Sequence, residues 1–186
     1  MSYQSEPVTM WFDQRILMQE SPIQGIGTFA TETIHAGELL ILVTGGLVLT
    51  SDDRRSGKVQ LAAGLYNQES LPGDLRIVTP KVFHYYINHS CEPNAIDLSK
   101  SPNSTHYIAW HDIQAEEEVT TDYGIYGGAT LERCECRSPR CRGRVTPDDW
   151  QLPELQQRYR GCFPWRLEQP IPQMNIHEDK NSSERQ

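Results

Sequence analysis

The stretch Asn88-His89-Ser90-Cys91-Glu92-Pro93-Asn94-Ala95 decides how the rest of this chain is read. Alone it is a polar turn around a proline. It packs an amide, an imidazole and a thiol into four residues, a density of chemistry that a plain turn does not need. Working outward, Glu117-Glu118-Val119-Thr120-Thr121-Asp122-Tyr123-Gly124 follows downstream. Gln24-Gly25-Ile26-Gly27-Thr28-Phe29-Ala30 and then Ala36-Gly37-Glu38-Leu39 stand upstream. Cys134-Glu135-Cys136-Arg137-Ser138-Pro139-Arg140-Cys141 comes last, followed by Arg142-Gly143.

The whole chain sets bounds on these motifs. Its 186 residues suffice for one domain with a real core. Apolar residues at 37% and charged residues at 23% describe a globular, not a disordered, protein. Seventeen basic against twenty-five acidic side chains leave a net charge of −8. That balance disfavours phosphate backbones and anionic membranes and favours basic partners. Met1 to Glu20 contain no apolar core of signal-peptide type, so an intracellular location, cytoplasmic or nuclear, is expected. The most apolar run, Leu39 to Leu49, is too short to span a bilayer and is interrupted at Gly45-Gly46. Five cysteines in a reducing compartment argue against a disulfide framework. Three clustered as C-x-C-x4-C point instead to metal. A redox dithiol would favour C-x-x-C spacing.

Periodicity reads as mainly β with short helices. Thr28 to Ala30 and Leu39 to Val43 read as strands, and Gly45-Gly46 before Leu47-Val48-Leu49 as a hairpin turn. Ser51 to Lys58 reads as a charged loop, Pro72-Gly73-Asp74 as a turn, and Val82 to Ile87 as a short helix or strand. Thr105 to Ile113 and Glu118 to Tyr123 read as further strands, and 124–147 as irregular. Pro153 to Arg160 predicts a helix that starts at its proline and stops at Gly161. The organisation expected is a lead-in over 1–22, a main domain over 23–126, a cysteine module over 127–145, a C-terminal cap over 146–168 and a disordered tail over 169–186.

In this order, the four elements resemble the SET domain of protein lysine methyltransferases with its post-SET zinc motif. The resemblance runs from Ile23 to Gly143. It implies a fold of small curved sheets with a pseudoknot, in which the segment carrying Tyr123 passes beside the segment carrying Asn88-His89. It also implies S-adenosyl-L-methionine as methyl donor and the ε-amine of a protein lysine as acceptor. That amine, with a pKa of about 10.4 in water, must lose its proton before it attacks, and a narrow apolar channel favours this loss.

Under the resemblance, Tyr123 is the catalytic residue and also touches the cofactor. Gly25, Ile26 and Gly27 let the backbone approach the donor, Asn88 and His89 hold it, and Tyr86 is a further neighbour. A hydrogen-bonded core histidine is the plain alternative for His89. Cys91 joins Cys134, Cys136 and Cys141 in a closed structural zinc site, leaving Cys162 free or buried. Glu116-Glu117-Glu118 reads as a solvated turn. Arg133, Arg137, Arg140, Arg142 and Arg144 read as a solvated loop around the metal rather than as a nucleic-acid surface. Trp150, Tyr159, Phe163 and Trp165 read as packing residues.

Two positions depart from the family pattern. Thr44 stands where many members carry a tyrosine of a Tyr-x-Gly element, and Thr121 where many carry Phe or Tyr. The lysine channel therefore needs Tyr85, Tyr107, Tyr126 or a C-terminal aromatic as a wall. The same departures motivate an alternative, a non-catalytic SET module that binds a lysine-bearing partner. The substrate expected is a basic, lysine-rich protein, histone or other; direct binding of nucleic acid or membrane is not expected, and the sequence leaves oligomeric state and methyl number open.

Overall fold

The structure, a computed structural model, describes residues 4–56, 66–71, 75–80, 86–101, 104–164 and 167. The readings of Pro72-Gly73-Asp74, of Tyr85 and Trp165, of most of Val82 to Ile87 and of the 169–186 tail fall outside these residues.

Among the described residues ten strands make two sheets. In chain order they are β1 Glu6–Phe12, β2 Ile16–Glu20, β3 Ile26–Ala30, β4 Leu39–Leu49, β5 Tyr66–Leu71, β6 Leu75–Pro80, β7 Asn88–His89, β8 Ala95–Asp97, β9 Ser104–Ala109 and β10 Glu118–Thr121. The larger sheet runs β5-β6-β4-β9-β8, with β1 also paired to β4; the smaller runs β2-β3-β10-β7. Two short α-helices, α1 Ser51–Ser56 and α2 Pro153–Arg158, and two 3-10 turns, Tyr123–Ile125 and Asp149–Gln151, complete the elements of the described residues. Among the described residues no helix is long and apolar enough to cross a membrane.

The main core lies between the sheets. Ile16 and Ala30 from the smaller sheet and Leu40, Ile41, Val43, Tyr107 and Ala109 from the larger one join Ile34, Ile87, Ile113 and Val119 there. A second cluster docks the C-terminal segment: Leu155 and Tyr159 of one helical face pack with Ile96, Ile125 and Phe163. Trp150 and Cys162 flank it, partly buried. Leu155 and Tyr159 are 0% exposed, as the i, i+4 spacing anticipates. The 1–22 segment carries β1 and β2; Phe12 and Ile16 pack on the main core, whereas Trp11 and Leu17 stay exposed.

Two local expectations are corrected. Gly45-Gly46 does not reverse the chain, because β4 continues through it as one strand of 11 residues. A Cβ on Gly45 would run into the Pro7 carbonyl of β1, and one on Gly46 into Ile77 of β6. The glycines admit two neighbouring strands to one long strand rather than making a turn. Ser51 to Ser56, read as loop, is helical. Thr50 and Asp53 cap it reciprocally: Asp53 N donates to Thr50 Oγ1 at 3.1 Å and Thr50 N to Asp53 Oδ2 at 2.9 Å.

The crossing that positions the site is the parallel pair β10–β7, with Thr120 opposite Asn88 and Thr121 opposite His89. Ser90 N extends it by donating to the Thr121 carbonyl at 2.9 Å. Residues some thirty positions apart in sequence thus become lateral neighbours.

Candidate functional site

Val119 lies in the core, and Thr120, Thr121 and Asp122 beside it are buried. This buried run delivers Tyr123 to the end of β10, where one turn of 3-10 helix, Tyr123–Ile125, bends the chain away. Asp122 caps that turn by accepting from Gly124 N at 2.9 Å. The Tyr123 hydroxyl donates to the Ile87 carbonyl at 2.8 Å. Its ring lies 5.4 Å from that of His89. Burial, then the negative charge of Glu118, raises the Tyr123 pKa, so the phenol stays protonated and serves as a donor.

Asn88 is the hinge of the glycine loop. Its side-chain Nδ2 donates to the Gln24 carbonyl at 3.0 Å, the Ile26 carbonyl at 3.3 Å and Glu118 Oε1 at 2.7 Å. Glu118 also accepts from Ser21 Oγ at 2.8 Å, and Ser21 Oγ in turn accepts from Ile23 N and Gln24 N. A Cβ on Gly27 would overlap the Glu118 carboxylate, so a larger residue there would displace that carboxylate from Asn88 and Ser21. The sequence reading missed Glu118 and treated it as part of a solvated turn. Its place two residues before Thr120 on the strand that leads to Tyr123 is the signal that could have found it. Glu117, too, is engaged, accepting from Asn94 Nδ2 and Gln114 N, both at 2.9 Å.

A cleft of about 360 Å³ opens between Ile23-Gln24, His89 and the segment Thr130 to Glu135. Its volume suits a small-molecule ligand. His89 lines it directly, Gly25 to Gly27 continue from its Gln24 wall, and Asn88 braces that wall from behind. Tyr86 contributes its carbonyl to Thr28 Oγ1 at 3.1 Å, with its side chain 42% exposed. Thr121, 1% exposed, holds the Tyr126 hydroxyl at 2.7 Å, and Tyr126 meets the Tyr107 hydroxyl at 3.1 Å. Two aromatic rings therefore stand at the departure noted at Thr121.

Three of the cysteines converge on His89. The sulfurs of Cys91, Cys134 and Cys136, together with a ring nitrogen of His89, all lie within 4.8 Å of one another. The fourth sulfur expected, that of Cys141, lies outside this set; it is 3.9 Å from the Cys134 carbonyl and accepts from Gly143 N at 3.4 Å. All five cysteines are free thiols. Burial pushes the Cys91 thiol up to about 11. Burial acts the same way on Cys136, but N–H groups of Cys91 and Ser138 overcome it and bring that thiol down to about 6. Crowded sulfurs that already accept backbone N–H groups are donors for a soft cation, and tetrahedral zinc fits them.

Arg142 is the main correction among the arginines. Read as solvated, its side chain is 11% exposed and bonds the fully buried Asp122 at 2.8 and 2.5 Å and Asp149 at 3.2 Å. Its backbone N donates to Cys91 Sγ at 3.3 Å. A buried carboxylate needs such a partner, whereas a surface one does not. Arg133 and Arg140 instead pair with Glu135 and Glu92 while remaining largely exposed.

The SET domain family matches residues 25–124. Histone-lysine N-methyltransferase ATX2 of Arabidopsis thaliana is 34% identical over 156 residues, covering 78% of this chain and 14% of that protein. Histone H3-lysine(4) N-trimethyltransferase ATX1, from the same plant, is 30% identical over 164 residues, covering 82% of this chain and 15% of that protein. The solved methyltransferase domain of human histone-lysine N-methyltransferase SETMAR aligns with a TM-score of 0.48 at 20% identity, over 73% of this chain and 59% of that one.

Proposed function

The chain belongs to the SET-domain family, and from that premise we propose that it transfers methyl groups from S-adenosyl-L-methionine to the ε-amine of a lysine in a basic protein. The observation that carries this reading is the parallel β10–β7 crossing. It sets Tyr123 against His89, and His89 lines a cleft of about 360 Å³.

The donor supplies an electrophilic methyl on a sulfonium. The protein's part is to bind, orient and exclude water. Asn88 and Glu118 hold the glycine loop, and His89 lines the cleft. Tyr123, a neutral donor, orients the reacting groups and closes the channel with its ring. Tyr126 and Tyr107 serve as walls of the lysine channel in place of an aromatic at 121, and desolvation between their rings favours the neutral amine. Cys91, Cys134, Cys136 and Cys141 would hold one structural zinc, securing Thr130 to Glu135 over the cleft. Four sulfur ligands leave no open position for chemistry.

Histones are the proposed substrate class, because the relatives are named for histone lysines and the net charge of −8 suits a basic partner. The test is tritium transfer from labelled donor to histones, total cell protein and free amines. Label recovered as methyl-lysine from histones supports the reading; label confined to free amines or absent from all three refutes it.

A further inference from the structure

A backbone N–H can only donate, and that of Tyr123 points at His89 Nδ1 from 3.1 Å. Nδ1 is therefore the acceptor, and in a neutral imidazole the ring proton then sits on Nε2. That Nε2 faces Cys91 Sγ at 3.2 Å. A protonated Nε2 has no lone pair to give a metal, so His89 stands among the sulfurs as a donor to Cys91 and not as a ligand. The ring is 3% exposed, and its strand β7 is paired in register with β10, Thr121 opposite His89.

We propose that His89 is a positioning residue that links the zinc-binding Cys91 sulfur to the main chain of Tyr123, so that the metal site sets the place of the reacting tyrosine. The chain of contacts is short: Cys91 Sγ, His89 Nε2, His89 Nδ1, Tyr123 N. Each end answers a different demand. A metal-bound thiolate is stabilised by N–H donors, and a buried main-chain N–H at the end of a strand needs an acceptor. One imidazole supplies both because its nitrogens lie on opposite edges of a rigid ring. The linkage rests on the methyltransferase reading for its functional consequence, whereas its geometry and its metal side do not.

Two substitutions separate the two edges. His89→Asn keeps an acceptor near the Nδ1 position and loses the donor to sulfur. His89→Gln keeps a donor near the Nε2 position and loses the acceptor. Zinc affinity, measured on the full chain by competition with a chromophoric chelator, is expected to fall roughly 10- to 100-fold in His89→Asn and to stay within about threefold in His89→Gln. Turnover at saturating donor is expected to fall about tenfold in His89→Gln, the pattern of misplaced chemistry, since saturation removes any loss of donor binding. Long-range proton–nitrogen correlation on the zinc-loaded wild-type chain reads the ring without any variant and should show the Nε2–H tautomer. An Nδ1–H or metal-bound ring, a wild-type chain that holds no zinc, or His89→Asn with wild-type zinc affinity each overturns the proposal. So does an equal loss of zinc and turnover in both variants, which is what a merely structural histidine would give. A wild-type chain that methylates no lysine refutes the function proposed above, while the tautomer and zinc measurements still decide whether the linkage exists.

Discussion

Arg142 grips Asp122 through both terminal guanidinium nitrogens, and Asp122 is the residue immediately before Tyr123. The pair joins the cysteine-rich segment to the strand that delivers the tyrosine, and Tyr159 of the C-terminal segment adds a hydroxyl to the same carboxylate at 3.3 Å.

Arg142→Met leaves the buried Asp122 carboxylate without its cation. Breaking a buried pair from one side costs about 3–5 kcal/mol, so the melting temperature should fall by roughly 10 °C. Arg142→Lys keeps the charge and loses the planar fork, and should lie between. Scanning calorimetry measures both; an unchanged melting temperature in Arg142→Met would show that the pair contributes nothing.

Tyr123→Phe removes one hydroxyl and its bond to the Ile87 carbonyl while keeping the ring. Turnover should drop by about 10²-fold, equivalent to about 2.7 kcal/mol of transition-state stabilisation. Donor affinity should change far less, since the interaction matters most at the transition state. Full turnover in a folded, donor-binding variant would place the chemistry elsewhere.

Asn88→Ala releases the Gln24 and Ile26 carbonyls and leaves Glu118 facing Ser21 alone. The glycine loop then loses its brace, and donor affinity by titration calorimetry should weaken by at least roughly tenfold, the loss of one or two charge-assisted or neutral hydrogen bonds. Binding as tight as in the parent chain would remove Asn88 from the pocket.

Metal analysis of protein purified without chelator should find about one zinc per chain, from the four-thiolate coordination argued above. Cys134→Ser should lower that content and Cys162→Ser should not, because Cys162 packs in the second hydrophobic cluster. Chelation should also weaken donor binding, since Thr130 to Glu135 line the cleft and Cys134 lies in that segment. Donor binding indifferent to chelation would separate metal from cleft.

What the sequence alone determined was whatever local chemistry decides. The Asn-His-Ser-Cys block, the Asp-Tyr-Gly turn and the clustered cysteines announce themselves because their residue types and spacing are unusual at short range. Helix α2 was legible for the same reason: proline at its first turn, glycine past its end and an apolar pair at i, i+4 are all local signals. Thr50 and Asp53 carried such a signal as well, a three-residue spacing hidden inside a charged stretch.

The tertiary structure decided what depends on a distant partner. Gly45-Gly46 has the composition of a turn, yet two neighbouring strands need that space. Glu118 and Arg142 look like any charged surface residues until Asn88 and the buried Asp122 face them, and a charge is functional or idle according to what lies within a few ångströms of it. His89 could have been a cofactor contact or a core residue from sequence. Only the meeting of β7 with β10, which places Tyr123 N on one edge of its ring and Cys91 on the other, assigns its proton, because long-range pairing rather than local spacing sets those distances.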